Sequence, residues 1–219
     1  MAFTPRRNTA SNFERVTFPL GENVMTLDSI RAFYSEPSEW KPDGQLTFML
    51  VWKDADGDEF TEFPSAPKDF GYNEKSTFWN RIAALAGKTG FDESDFDEEG
   101  NLITVGLELE GMDDFEDGDP VQFFIDKTLK DEHGQFRTDE RGKNIKVIVG
   151  VLYRGESLIG RQCRLVMGEK KDKNGNVQDG NKVAQNGALP LATGAGKKKQ
   201  VPRQVLLLPL LFPQCPNPS

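Results

Sequence analysis

The sequence contains one histidine and two cysteines among its 219 residues, and this scarcity restricts the chemistry open to it. A site with a catalytic histidine would have to use His133, which stands in the polar, turn-like stretch KDEHGQF. Zinc sites built from clusters of histidine and cysteine are excluded by the same count. Cys163 and Cys215 share no motif, which predicts a protein without structural disulfides.

Glycine-rich phosphate loops and long apolar runs are also missing. Neither G-x-x-x-x-G-K-[ST] nor G-x-G-x-x-G occurs. No stretch approaches the roughly 18 apolar residues needed to span a bilayer. The start, MAFTPRRNTASNFERV, has no apolar segment after its arginines and does not match a secretory signal. We therefore expect a cytoplasmic protein with no catalytic activity, no cofactor and no bound metal.

Apolar residues and charges are unevenly distributed. Apolar residues make up 37% of the chain, below the about 45–50% typical of globular proteins, so part of the chain is expected not to pack. The net charge is −8, yet residues 91–119 contain thirteen acids and no lysine or arginine. From Arg161 to the end, ten basic residues face three acids. Basic ends would supply phosphate contacts in a nucleic-acid-binding protein; the alternative is that they only increase solubility.

Hydrophobic periodicity and turn residues predict six main elements. Strands are expected at 24–34, 46–52, 59–63, 121–129 and 143–153, with weaker strand signals at 102–112 and 158–167. A helix is expected at 75–86, because Phe78, Ile82 and Leu85 recur at helical spacing. Asn73 or Ser76 can cap its start, and Gly87 fits its end.

The aspartate-rich stretch DADGDEF, after the apolar run LTFMLVWK, could be a calcium loop or a tight turn. A calcium-binding EF loop requires glycine at position 6 and a carboxylate at position 12. Counting from Asp54, the glycine falls at position 4 and position 12 is Ser65. Asp56-Gly57 is instead a strong signal for a β-hairpin, so we predict a bend without metal.

The strand before this turn is apolar on both faces. Leu46, Phe48, Leu50 and Trp52 alternate on one side, and Met49 and Val51 lie on the other. Such a strand is either covered on both faces or has one face committed to a ligand.

The order strand, strand, strand, helix, strand, strand predicts a mainly β, α+β protein. It matches an OB-like five-stranded β-barrel with one helix between the third and fourth strands, although other small barrels and mixed domains share the order. Residues 1–15 are expected to form a flexible basic arm, and 16–167 the barrel domain. Residues 168–219 are expected to be a linker and a Pro-rich apolar tail, whose segment 205–212 is a candidate docking peptide.

Three segments, GQLTFMLVWKDADGDEF, KSTFWNRIAALAG and GDPVQFFIDKTLKDEHGQF, resemble a group of bacteriophage and mobile-element proteins. Those proteins are OB-fold-like and bind single-stranded DNA. The resemblance covers about residues 24–153. It implies a largely sequence-independent single-stranded-DNA-binding protein that acts in replication or recombination in the cytoplasm of a bacterial host.

Binding of this kind uses aromatic rings that stack on bases and cations that contact the backbone. Candidate residues on or near the first three strands and the last strand combine these properties, although each aromatic could instead belong to the core and each cation could simply be solvated. They are Arg31, Phe33, Tyr34, Trp40, Phe48, Trp52, Lys53, Phe60, Lys143 and Lys146.

Three other functions fit the sequence less directly. The chain could be a viral or mobile-element structural protein that forms homo-oligomers through sheet edges or its C-terminal tail. It could be an acidic DNA mimic that inhibits a host nucleic-acid enzyme, or a carboxylate-dependent hydrolase. Salt separates the assembly hypothesis from strand binding, because binding to DNA weakens steeply with salt whereas apolar assembly persists. A DNA mimic would bind an enzyme and no DNA.

Overall fold

A computed structural model describes residues 16–39, 44–67, 71–109 and 127–191 of the chain. Within these ranges the protein is mainly β, with eight strands, one α-helix described over its full length, one short 3-10 helix at Glu93–Asp95 and a helical segment at 127–129. The strands are β1 (Gly21–Tyr34), β2 (Leu46–Lys53), β3 (Glu59–Glu62), β4 (Val105–Leu109), β5 (Val147–Tyr153), β6 (Glu156–Ser157), β7 (Gln162–Lys171) and β8 (Val177–Leu189). The helix α1 spans Thr77–Leu85.

All paired strands are antiparallel, and β1 is the centre of the sheet. One edge of β1 pairs with β2, which pairs in turn with β3. The other edge is shared: residues 21–26 pair with β7, and residues 31–32 pair with β5. The pairing with β2 shifts register between Leu27 and Ser29, and a bulge of this kind bends a strand and increases its twist. The bulge therefore lies between the part of β1 that pairs with β7 and the part that pairs with β5.

The prediction of a mainly β protein is confirmed, but the predicted closed five-stranded barrel is wrong. In the described ranges β3 pairs only with β2 and β8 only with β7, so the sheet stays open. A side chain of α1 connects the free edges of β3 and β8. Arg81 of α1 hydrogen-bonds Glu62 on β3 and the carbonyl oxygens of Ala184 and Gln185 on β8.

The predicted helix and the first three strands are confirmed within a few residues. Phe78, Ile82 and Leu85 are buried as the periodicity predicts, and the Phe78 ring stacks on Phe48 with centroids 4.3 Å apart. Gly87 follows the helix with a φ of +81°, a backbone conformation that favours glycine and ends helices. The weaker strand signals at 102–112 and 158–167 correspond to β4 and β7.

Two segments differ from their predicted structure. Residues 168–189, predicted as linker, form the end of β7 and all of β8. Their polar composition reflects a hairpin whose outward side is solvated, while Val183 and Ala188 are buried. Of the predicted strand 121–129, residues 127–129 are helical. Residues 121–126, the arm 1–15 and the tail 192–219 lie outside the described residues.

Five tight hairpin loops share the pattern Asp-x-x-Gly-x, and the aspartate-rich bend after β2 is one of them. In each, the aspartate Oδ1 accepts hydrogen bonds of 2.7–3.0 Å from the backbone N–H groups two and four residues later. The glycine has a φ between +72° and +89°, which glycine adopts without a steric cost. The prediction of a hairpin at Asp56-Gly57 is therefore confirmed. The loops are 54–58, 97–101, 131–135, 139–143 and 172–176.

Candidate nucleic-acid interface

The sheet formed by β1, β2 and β5 has one face in the core and one face open to solvent. Side chains alternate between the two faces of a strand. On β2, the set beginning with Leu46 and Phe48 is buried, whereas Met49 and Val51 are half-buried. We call the second side the open face and define it by the residues Arg31, Phe33, Met49, Phe63, Lys146 and Ile148.

Register and contacts bring these six residues together. Arg31 on β1 lies opposite Met49 on β2 and opposite Ile148 on β5. The Phe33 ring meets the Phe63 ring edge to face, with centroids 6.3 Å apart and planes at 88°. Crossing from β5 to the end of β3 covers three strand spacings, so the open face is about 14 Å wide.

Large apolar groups on the open face are exposed. Phe63 is 57% exposed and Ile148 is 51% exposed. Exposed aromatic rings beside other apolar side chains mark a binding surface more often than an isolated exposed residue does. The apolar residues on both faces of β2 predicted that one face of this strand could be committed to a ligand. The open face is the face of β2 that the core does not cover.

Two cations on the open face have no acidic partner in the described ranges. The Nζ of Lys146 lies 5.2 Å from the centre of the Phe33 ring and 3.7 Å from the Sδ of Met49. Arg31 is exposed, and no described carboxylate pairs with it. Positive charge is therefore available next to aromatic rings, in a protein whose net charge is −8.

Lys53 lies at the end of β2, where its charge is already compensated. Its Nζ is 2.9 Å from the Oδ1 of Asp28 and 3.5 Å from the Oε1 of Glu59. The hydrogen bond to Asp28 is the main reason that the pKa of Lys53 is raised. Contact with a phosphate would have to compete with two carboxylates, so Lys53 is a poorer candidate than Arg31 or Lys146.

Three of the predicted aromatic contacts are core residues, and the prediction is corrected for them. Phe48 and Trp52 are fully buried on the opposite side of β2, so neither offers a ring face to a base. The indole Nε1 of Trp52 donates to Glu62 Oε1 at 3.1 Å. Tyr34 is 8% exposed and stacks on Phe136 with centroids 4.9 Å apart, so a loop covers it.

The remaining predicted residues lie elsewhere. Phe60 is half-buried and meets Phe18 edge to face at 6.1 Å between centroids. Lys143 is exposed at the end of the loop 139–143, and its backbone N–H donates to Asp139. Trp40 lies outside the described residues.

Sequence reasoning did not select Phe63, Met49 or Ile148, although all three lie on the open face. Phe63 follows the last residue of β3. This strand is too short for the alternation of its side chains to predict which face Phe63 lies on. Met49 and Ile148 carry no charge or ring, so only their position between Arg31, Phe33 and Lys146 identifies them. For Met49 the two-sided apolar pattern of β2 was the available signal.

The acidic segment 91–119 contains one aspartate that is a buried structural group. The carboxylate of Asp95 is fully buried and accepts hydrogen bonds from Lys88, the backbone of Asp92, Thr104 Oγ1 and Tyr153 OH. Burial acts to raise the pKa of Asp95, but these donors outweigh it and hold the pKa below its usual value. Asp95 thus joins the end of α1 to β4 and β5.

Hydrogen bonds from Lys88 and Ser94 also lower the pKa of the exposed Asp92, to about 2. The pKa of Lys88 is raised by the same hydrogen bonds, first to Asp92 and then to Asp95. At neutral pH this cluster therefore contains two carboxylates and one ammonium group, all charged.

Replacing Asp95 with asparagine is expected to destabilise the protein by about 2–3 kcal/mol at neutral pH, because bonds to a charged group are lost. The folded pKa of Asp95 lies below its unfolded value near 3.8. Its contribution is therefore present above that pH and is lost as the pH falls through the folded pKa. Urea unfolding at several pH values should show the difference between wild type and Asp95→Asn shrinking below about pH 4. A difference that stays constant into strong acid would contradict the assignment.

The described ranges contain one histidine and one cysteine, and both lie outside the open face. No group of three or more His, Cys, Asp or Glu side chains there is arranged to hold a metal ion. His133 is exposed in its hairpin loop. Burial raises the pKa of Cys163 to about 12, so this thiol is protonated at neutral pH. None of the helices described is both long and apolar enough to cross a bilayer.

No protein-family model matches the chain, and no curated protein sequence is significantly similar to it. These two comparisons therefore add nothing to a functional assignment.

Proposed function

We propose that the protein binds single-stranded nucleic acid, with single-stranded DNA as the ligand, on the open face of its sheet. The observation that supports this most directly is the contact between half-buried Phe33 and exposed Phe63, beside Lys146 and Arg31, which pair with no carboxylate in the described ranges. Aromatic rings stack on bases at about 1–3 kcal/mol each, and cations next to them contact the phosphates. We propose no catalytic step.

A single strand fits this surface better than a duplex does. Phe33 and Phe63 can stack only on bases whose faces are free, and in a duplex these faces are already stacked on neighbouring pairs. Every base has such a face, so stacking of this kind is largely independent of sequence. The small number of cations predicts moderate affinity and a modest dependence on salt.

The setting of this activity is part of the proposal. The β1–β2–β3 meander followed by α1 keeps the order of elements on which the OB-like expectation was based, although the sheet is open and is not a closed barrel. With the resemblance of residues 24–153 to phage and mobile-element proteins, this supports a role in replication or recombination in a bacterial host.

Fluorescence anisotropy with labelled oligo-dT, and with a duplex of equal length, tests the proposal. The single strand should bind more tightly than the duplex. Phe63→Ala should weaken binding to oligo-dT by about 1–3 kcal/mol, that is, roughly 5- to 150-fold. Arg31→Ala with Lys146→Ala should reduce the slope of log K against log salt by about 1.4, or about 0.7 per phosphate contact.

Matched variants provide the controls. Ile103 is 62% exposed and lies outside the open face, so Ile103→Ala should leave binding unchanged. Lys171→Ala with Lys173→Ala removes the same charge from the β7–β8 hairpin and should have little effect. If the wild type does not bind oligo-dT even at low salt, the proposal fails. Light scattering of the same sample would then test assembly through sheet edges.

A further inference from the structure

The gap between the free edges of β3 and β8 contains a cleft that begins at the open face. Its volume is about 600 Å³, and its walls include Phe60, Phe63, Lys170, Lys182 and Asn181. A second hollow of about 480 Å³ shares Phe60, Phe63, Lys170 and Asn181 with it. Because Phe63 belongs to both the open face and the cleft, the two surfaces are continuous around the end of β3.

The two lysines of the cleft have no acidic partner in the described part of the chain. Lys170 is half-buried on β7, and Lys182 is exposed on β8. The neighbouring Lys171 differs, because its Nζ lies 3.4 Å from the Oε2 of Glu169.

The acids along the cleft are mostly compensated. Glu62 is bound by Arg81 and Trp52, and Glu59 is paired with Lys53. Asp179 lines the second hollow and not the first. The first hollow therefore has a positive balance, and Phe60 and Phe63 supply ring faces or edges next to it.

We infer that a bound single strand continues from the open face over Phe63 into this cleft, where Lys170 and Lys182 contact its phosphates. This inference rests on the proposed function and extends it to a second segment of the same ligand. The cleft offers what the open face offers, namely cations without an acidic partner in the described ranges beside aromatic side chains. The full site would then accept a longer oligonucleotide than the open face alone, which is about 14 Å wide.

Length dependence of binding distinguishes the two surfaces. Anisotropy would be measured at low and moderate salt with labelled oligo-dT of about five and about fifteen nucleotides, lengths within the range known for such sites. Wild type should bind the longer strand more tightly than the short one. The gain in affinity should exceed the statistical gain from the larger number of binding positions on the longer strand. Lys170→Ala with Lys182→Ala should weaken binding of the longer strand by about tenfold at low salt. It should also reduce the salt slope by about 1.4, while leaving the short strand unaffected.

The control is Lys171→Ala with Lys173→Ala, which removes the same charge from the same hairpin outside the cleft. It should behave like wild type with both strands. If the Lys170 and Lys182 double variant binds the longer strand like wild type, the inference is wrong while the proposed function stands. If it weakens both strands equally, the lysines act through general charge and the inference is also wrong. If wild type binds neither strand, the proposed function fails first.

Discussion

Arg81→Ala should destabilise the protein by about 3–5 kcal/mol, the cost expected when one partner of a buried ion pair is removed. Arg81 is fully buried, and its guanidinium donates five hydrogen bonds. Two go to the carboxylate of Glu62, one to Asn80 Oδ1, and two to the backbone carbonyl oxygens of Gln185 and Ala184. Alanine would remove the donors to two backbone carbonyl groups and would leave the nearly buried Glu62 carboxylate with the Trp52 indole as its described donor.

The Arg81 side chain connects α1, β3 and β8, although β3 and β8 do not pair with each other. Without it, the edges of β3 and β8 lose their shared contact to α1, so a lower folding cooperativity is expected along with the lower stability. Urea unfolding followed by circular dichroism measures both the midpoint and the slope of the transition.

Two further variants test the mechanism of this stabilisation. Arg81→Lys keeps the charge but loses the forked geometry, so it should fall between wild type and Arg81→Ala. A double-mutant cycle with Glu62→Gln should show a coupling energy of about 0.5–3 kcal/mol. Arg141→Ala, in an exposed hairpin loop, is the control and should be nearly neutral. A loss below about 1 kcal/mol for Arg81→Ala would contradict the structural role.

Trp52→Ala is the second change with a large expected effect, about 3–5 kcal/mol of lost stability. Trp52 is fully buried at the end of β2, and its indole Nε1 donates to Glu62. Alanine would create a cavity in the core and remove a hydrogen bond from the carboxylate that Arg81 also uses. The effects of Trp52→Ala and Arg81→Ala are therefore not expected to add independently.

This variant also tests whether Trp52 is a core residue or a binding residue. Trp52 faces away from the open face, so the folded fraction of Trp52→Ala should bind oligo-dT about as well as wild type. Urea unfolding gives the stability, and anisotropy at a temperature where the variant is folded gives the affinity. Trp52→Phe keeps most of the volume and should lose less stability. A stable Trp52→Ala protein with specifically reduced binding would instead place Trp52 in the interface.

Local patterns predicted the elements that depend on neighbouring residues. The helix was predictable because Phe78, Ile82 and Leu85 recur at its period, and its end because Gly87 accepts a positive φ. The bend after β2 was predictable because Asp54 and Gly57 satisfy its hydrogen bonds and its backbone conformation. The same Asp-x-x-Gly-x spacing marks four further hairpins and was a usable signal for the turn between β7 and β8.

The candidate site was only partly predictable, for a physical reason. Alternation on a strand separates two sets of side chains but does not say which set faces the core. Phe48 and Trp52 were as plausible for stacking as Phe33, until the packing of α1 against one side of β2 decided between them. Phe63 entered the site only through its contact with Phe33, thirty positions earlier in the chain.

By itself, the sequence determined a mainly β protein with one amphipathic helix and tight aspartate–glycine hairpins, because these depend on contacts within a few residues. Only the tertiary structure decided that the sheet stays open, that residues 177–189 form a strand, and that Asp95 and Arg81 are buried. Each of these depends on partners far apart in the chain, such as Arg81 with β3 and β8. Composition does not identify such partners. A polar or charged residue is expected to be solvated unless its hydrogen-bond partners in the folded protein are known.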